Sequence, residues 1–128
     1  MPEYMLLLYA DEATPEERRE RDAQMPAWLE FTEGLREAGR FVGSGQLRPV
    51  DTATTVRVRD GETEILDGPF AVTKEYFGGY YLVNCADLDE ALKLAAQVPI
   101  ARYGSVEVRP LVELPAPFRA DSQADAVS

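Results

Sequence analysis

The sequence predicts an α+β domain, a ferredoxin-like antiparallel sheet with two helices on one face. Three observations lead there. The apolar pattern changes period in the order strand, helix, several strands, helix, strand. Both helical stretches open on capping signals. Two strand stretches, "YMLLLY" and "GYYLV", are apolar on both sides, although helices on one face of a sheet can cover only one of them.

Residues 4 to 9, "YMLLLY", are too short for a helix before Asp11-Glu12 and read as a buried strand. "TPEE" then opens a helix, with Thr14 as N-cap, Pro15 at the first helical position and Glu17 closing a capping box. The helix extends to about Ala38, and Gly39 stops it. Met25, Trp28, Leu29, Phe31, Leu35 and Ala38 recur at three- and four-residue spacing and form its core face. Pro26 predicts a split or a bend near Ala23. "FVGSGQLRPV" begins extended, and its glycines mark a bulge or a close approach of another group. Residues 54 to 59, "TTVRVR", alternate, Asp60-Gly61 is a hairpin turn, and "ETEIL" is the return strand. The loop Asp67-Gly68-Pro69-Phe70 leads to a strand over residues 79 to 84. Asp87 caps a second helix with Glu90 completing its box. Leu88, Ala91, Leu92, Ala95 and Val98 are its buried stripe, and Pro99 ends it. Residues 105 to 111 are the last strand. The domain spans residues 1–114. Residues 115–128 are polar, alanine-rich and aperiodic, and read as a flexible C-terminal tail with Phe118 as its one anchor.

Composition excludes several function classes. A chain of 128 residues with a formal net charge of -10 is one acidic domain that repels phosphate backbones, so no nucleic acid is expected. No apolar run is long enough to span a membrane, and Met1-Pro2-Glu3 lacks the basic start of a signal peptide, so the expected address is cytoplasmic. One cysteine forbids an internal disulfide. There is no histidine, which removes serine–histidine and cysteine–histidine catalysis and histidine metal sites. No metal and no cofactor is expected.

In "YMLLLY", Tyr4, Leu6 and Leu8 point one way and Met5, Leu7 and Tyr9 the other. The uncovered set predicts a homodimer, sheet against sheet through a two-fold axis. Two sheets packed so enclose space in which a small molecule can sit.

Candidate site residues follow. Asp67 either bonds the backbone ahead as an Asx-type turn or stands as a carboxylate at the mouth of the inter-sheet space. Phe70 either plugs the core or meets a ligand. Lys74 is either solvated beside Glu75 or neutralises an anionic ligand. Gly78-Gly79 reads as a tight backbone turn before the strand. Tyr9 and Tyr81 read as aromatic packing, but without histidine a tyrosine–carboxylate pair is one of the few ways to move a proton. Arg57, like Arg48 and Arg59, either balances glutamates across strands or holds an anionic ligand or a partner chain. Cys85 reads as a small core residue.

"YMLLLYADE", "TATTVRVRDG", "DGPFAVTKEYFGGYYLVNCADLDEAL" and "GSVEVRPL" together resemble the YCII-related proteins, specifically their DGPF subgroup. The resemblance runs in register from Tyr4 to about Leu114. It implies a ferredoxin-like fold that forms a dimeric α+β barrel. Some proteins of this type use a histidine–aspartate pair and a few act on chlorinated aromatic rings, but the pair cannot be carried onto a chain without histidine. Asp67, Gly68, Pro69, Phe70, Thr73, Lys74, Glu75, Gly78 and Gly79 match the subgroup motif, whereas Val72 stands where the subgroup commonly has glutamate. Genes of the subgroup often lie beside those of extracytoplasmic-function sigma factors. The favoured function is a dimer that binds a small organic molecule between or beside its sheets, with acid/base chemistry through Asp67 and Tyr9 and binding through Phe70, Lys74, Arg57 and Tyr81. The alternative is a non-catalytic interaction or regulatory module in a sigma-factor-linked pathway.

Overall fold

A computed structural model of the chain describes residues 1–119. The first strand, β1, is Glu3–Ala10. Helix α1, Pro15–Asp22, starts on the expected box: Thr14 Oγ1 accepts from the Glu17 N–H at 3.1 Å, and Glu17 Oε1 accepts from the Thr14 N–H at 2.9 Å. Helix α2 is Met25–Glu37. The long helix is therefore two helices with a break at Ala23-Gln24, and Pro26 sits in the first turn of α2, where its missing N–H costs nothing. Gly39, at φ +71°, ends α2 in the left-handed region. Strands β2 (Phe41–Gln46), β3 (Thr54–Arg59), β4 (Glu62–Asp67) and β5 (Tyr76–Asn84) follow. Asp60 and Gly61, at φ 51° and 77°, make the primed turn between β3 and β4. Helix α3 is Leu88–Ala95 and strand β6 is Ser105–Pro110. Asp87 caps α3 by accepting from the Glu90 N–H at 3.0 Å. Glu90 reaches one residue further back than a standard box, accepting from the Ala86 N–H at 3.1 Å, and it also pairs with Arg40.

Four strands form one antiparallel sheet in the order β2-β5-β1-β6. The α1–α2 pair connects β1 to β2, and α3 connects β5 to β6. The β3–β4 hairpin does not join this sheet; it is a separate two-stranded sheet. The described residues thus form an α+β domain with three helices, and the sheet of one chain does not close into a barrel.

Register decides which face is buried. Leu6 pairs with Tyr81 on one side and Val108 on the other. Tyr4, Leu6, Leu8, Tyr81 and Val83 turn to the helices, which supply Leu35, Ala91 and Ala95. Leu6 and Val83 have no exposed surface. The helical stripes are narrower than their apolar pattern. Trp28, Phe31 and Leu35 carry the α2 contact, whereas Met25, Leu29 and Ala38 are exposed. Ala91 and Ala95 are the buried residues of α3, while Leu88 and Leu92 are exposed. Small residues bring a helix backbone close to the sheet, so larger flanking side chains lie along its rim.

Met5, Leu7, Tyr9, Tyr80 and Leu82 occupy the opposite face and are half-buried. The expected apolar face of the hairpin lies open: Val56 is 62% exposed and Ile65, its cross-strand partner, 67%. Of the C-terminal tail, Ala116–Phe118 makes a short 3₁₀ turn with Phe118 exposed, and residues 120–128 lie outside the described residues. Among the described residues no helix is long and apolar enough to cross a membrane.

This division of faces has a measurable consequence. Leu6→Ala is expected to lower unfolding free energy by about 2–5 kcal/mol, the range for a fully buried leucine. Leu7→Ala, one residue away on the other face, is expected to cost less than half as much. Urea titration of both variants checks the pair, and equal losses would contradict the assignment of faces.

Candidate functional site

A large hollow lies where β1 and β5 fall out of register. Leu8 pairs with Gly79 but Tyr9 pairs with Phe77, so Gly78 is an extra residue in β5. Its carbonyl accepts from the Leu47 N–H at 2.9 Å, which draws the segment after β2 across the end of the strand. A Cβ on Gly79 would stand 2.7 Å from the Gly45 carbonyl oxygen, so β2 and β5 approach here only because that position is glycine. The expected tight turn at Gly78-Gly79 is not formed. Both residues are inside β5, which begins three residues earlier than predicted, and neither has a positive φ.

The resulting cavity, of about 780 Å³, is bounded by α1, α2, the segment after β2 and the start of β5. Six aromatic residues line it: Trp28, Tyr76, Phe77, Tyr80, Tyr81 and Tyr103. Tyr81 is fixed on three sides. Phe31 meets it edge-on with ring centroids 5.1 Å apart, and Trp28 lies parallel at 6.3 Å. Its hydroxyl is 2.7 Å from Thr32 Oγ1. Thr32 donates its only hydroxyl proton to the Trp28 carbonyl at 2.9 Å, so Tyr81 is the donor to Thr32. At the other end Arg21 pairs with Asp11 at 2.8 Å and lies 4.3 Å above the Tyr103 ring. Burial pushes the Tyr103 hydroxyl pKa up, and the Arg21 charge opposes that shift. Three arginines (Arg18, Arg21, Arg48) and four carboxylates (Asp11, Glu12, Asp22, Asp51) make up the ionisable rim. Charge there is nearly balanced, and the apolar aromatic walls dominate.

The residues singled out in the sequence divide into two groups. Tyr81 lines the cavity. Tyr9 lies on the other face of the sheet against Phe77, with centroids 5.6 Å apart, and its hydroxyl pKa is raised by burial and then by Glu107. Asp67 ends β4 and is exposed, and its carboxylate accepts no hydrogen bond among the described residues. The turn after Asp67 is held from β3 and the residue before that strand instead. Gly68 has φ +103°, its N–H donates to the Ala53 carbonyl at 2.8 Å, and its carbonyl accepts from Thr55 Oγ1 at 2.8 Å. The Asx-type bond expected of Asp67 is therefore absent there. Phe70 does not plug the core: it is 72% exposed and lies 4.9 Å beneath the Arg57 guanidinium. Lys74 is exposed. Glu75 accepts from Ser105 Oγ at 2.7 Å, which ties the loop to β6. Within one chain, Asp67, Arg57 and Phe70 gather on the hairpin, away from the residues around Tyr81. Trp28, Arg21 and Tyr103 escaped the sequence reading as site residues. Trp28 carries the same three-and-four spacing as its core neighbours, and Arg21 sits in a run of charges that reads as a solvated face.

A family model for the YCII-related domain matches residues 2–115. The chain belongs to this family. An uncharacterised protein of Rhizobium meliloti (strain 1021) is 42% identical over 112 residues, which span 84% of this chain and 90% of the relative. The likeness of this YCII-related chain to that relative thus spans most of both chains rather than one motif.

Cys85 follows β5, is fully buried in the core, and burial raises its thiol pKa against the lowering effect of Arg40. Thiolate is the reacting form. At pH 8 the folded protein is expected to react with Ellman's reagent at least about a hundredfold more slowly than protein unfolded in urea, the scale set by opening equilibria in a stable core. Rapid reaction of the folded protein would place Cys85 at an accessible site.

Proposed function

We propose that this YCII-related protein binds a small, flat, largely uncharged organic molecule in the cavity beside Trp28 and Tyr81. The single supporting observation is the lining itself: aromatic residues, Trp28, Tyr81 and Tyr103 among them, around about 780 Å³, with a nearly balanced charged rim. Aromatic walls bury a planar ring with little loss of side-chain freedom. An acidic chain with mixed charges at the cavity gives little reason to select a strong anion.

Trp28 is the only tryptophan in the chain, so its fluorescence reports on the cavity. Titration with 2-naphthol is expected to quench it saturably, whereas 2-naphthalenesulfonate should bind at least about tenfold more weakly, a difference near 1.4 kcal/mol. Ala13→Phe, which fills the rim from a loop rather than from the core, should weaken 2-naphthol by a similar factor. No saturable quenching by either probe, or quenching untouched by Ala13→Phe, would remove the reading.

The same proposal takes the chain as a ferredoxin-like half of a dimeric α+β barrel, a cytoplasmic homodimer of the DGPF subgroup. The Asp67-Gly68-Pro69-Phe70 stretch supports the subgroup, and the β2-β5-β1-β6 order supports the half-barrel. The half-buried apolar face carrying Leu7 and the open hairpin support the dimer, because a two-stranded hairpin alone is marginally stable in water. Acid/base chemistry through Asp67 belongs to this dimeric reading. Its carboxylate is free of hydrogen bonds among the described residues, and only a neighbouring copy can bring a hairpin to another chain's cavity. A second reading, a non-catalytic interaction module in a sigma-factor-linked pathway, draws support from the same hairpin, whose Val56, Val58 and Ile65 stand open to another protein. Light scattering separates the two. A dimer mass for wild type and a monomer mass for folded Leu7→Glu favour the homodimer, and a wild-type monomer at micromolar concentration overturns it.

A further inference from the structure

We propose that the cavity selects its ligand by the direction of one hydrogen bond: Tyr81 receives a bond from the ligand and gives none, and Thr32 sets that direction. The ligand class is then a flat aromatic molecule that donates, a phenol or an aryl N–H compound, in preference to an aryl ketone of similar size. This rests on the cavity being the binding site, and it names the group that the bound ring carries.

The direction follows from counting protons. Thr32 and Tyr81 both line the cavity, and their hydroxyl oxygens are 2.7 Å apart. A carbonyl can only accept, so the 2.9 Å bond between Thr32 Oγ1 and the Trp28 carbonyl uses the single Thr32 proton. It is the back-bond of a helical threonine to the carbonyl four residues earlier, within α2. Thr32 is left as an acceptor toward the sheet, and the single Tyr81 proton goes to it. The Tyr81 oxygen keeps acceptor capacity and has no free proton.

Packing holds that oxygen in place. Phe31 and Phe41 meet the Tyr81 ring edge-on, with centroids 5.1 Å and 6.4 Å away, and Trp28 lies parallel to it at 6.3 Å. A phenol oxygen lies on the axis of its ring, so fixing the ring fixes the oxygen. Tyr81 is 5% exposed, so bulk water does little to blunt a mismatch there. A ligand group that only accepts brings lone pair against lone pair and loses the water that served it, whereas a ligand O–H or N–H exchanges one partner for another. Arg18 and Arg48, also in the lining, are donors, but both are exposed, and bonds made in water discriminate little.

Two neutral probes test this: 2-naphthol, which donates, and 2-acetylnaphthalene, which only accepts. Trp28 quenching gives both dissociation constants, and their ratio is compared between proteins so that the difference in probe hydrophobicity cancels. Thr32→Val keeps the shape of the side chain, removes the acceptor and frees the Tyr81 proton. The preference for 2-naphthol is expected to fall by about threefold to tenfold in Thr32→Val, through tighter binding of 2-acetylnaphthalene. Tyr81→Phe should lower it by a similar factor, through weaker binding of 2-naphthol alone. Thr32→Ser retains both hydroxyl bonds and should match wild type. A ratio unchanged in either Thr32→Val or Tyr81→Phe overturns the inference and leaves the binding reading standing. Equal weakening of both probes in Thr32→Val and Thr32→Ser also overturns it, since Thr32 would then only support the fold. Should Thr32→Val not fold, Tyr81→Phe decides alone. No saturable quenching by either probe in wild type removes the binding reading and this inference together.

Discussion

Everything in this domain depends on β1 lying between β5 and β6 in one register. Side chains of a strand alternate faces, so a slip of one residue would send Leu6 and Leu8 to the open side and Leu7 to the helices. The two neighbours guard that register differently. Against β6 the pairing runs unbroken from Tyr4 to Tyr9. Against β5 it runs from Glu3 to Leu8 and then shifts. Leu6 and Val83, both without exposed surface, sit where the sheet is regular and the helices are closest.

The cavity is the other side of that bargain between order and irregularity. Where β5 gains one residue at Gly78, paired strands can no longer stay flush, and the chain after β2 is pulled over the gap by its bond to Gly78. Bulges re-aim side chains and end regular pairing, and they recur beside functional sites for that reason. Here the bulge opens space under α1, while Gly79 keeps β2 close enough to form the wall. The site is thus assembled from β1, β5 and the α1–α2 pair, elements that no short sequence motif contains together.

The hairpin obeys a different logic. Its cross-strand pairs are self-consistent, Val56 with Ile65 on one face and Arg57 with Glu64 on the other. Arg57 also covers Phe70. Yet it takes no part in the core and leaves its apolar face open. A chain that buries Leu6, Val83 and Val98 completely does not leave such a surface for want of apolar packing partners. That open face is what the proposed role of the hairpin as an arm for a second molecule rests on.

Local chemistry made much of the fold legible before any coordinates. The Thr14 box, the Asp87 cap, the Gly39 stop and the Asp60-Gly61 turn all form as written, because each is settled within a few residues of backbone. The weak point at Pro26 resolved as a break for the same reason. The two faces of β1 were also readable, since alternation is a property of the strand itself. What the sequence could not determine was everything that depends on distance along the chain. Arg21 on Tyr103, Trp28 beside Tyr81 and the shift at Gly78 join residues dozens of positions apart, and no periodicity records them. Asp67 shows the limit most plainly. Its neighbours predict a capped turn, but the Thr55 hydroxyl, the Ala53 carbonyl and the left-handed Gly68 make that turn and leave the carboxylate free. Local residues set which elements form; only their packing set which side chains meet.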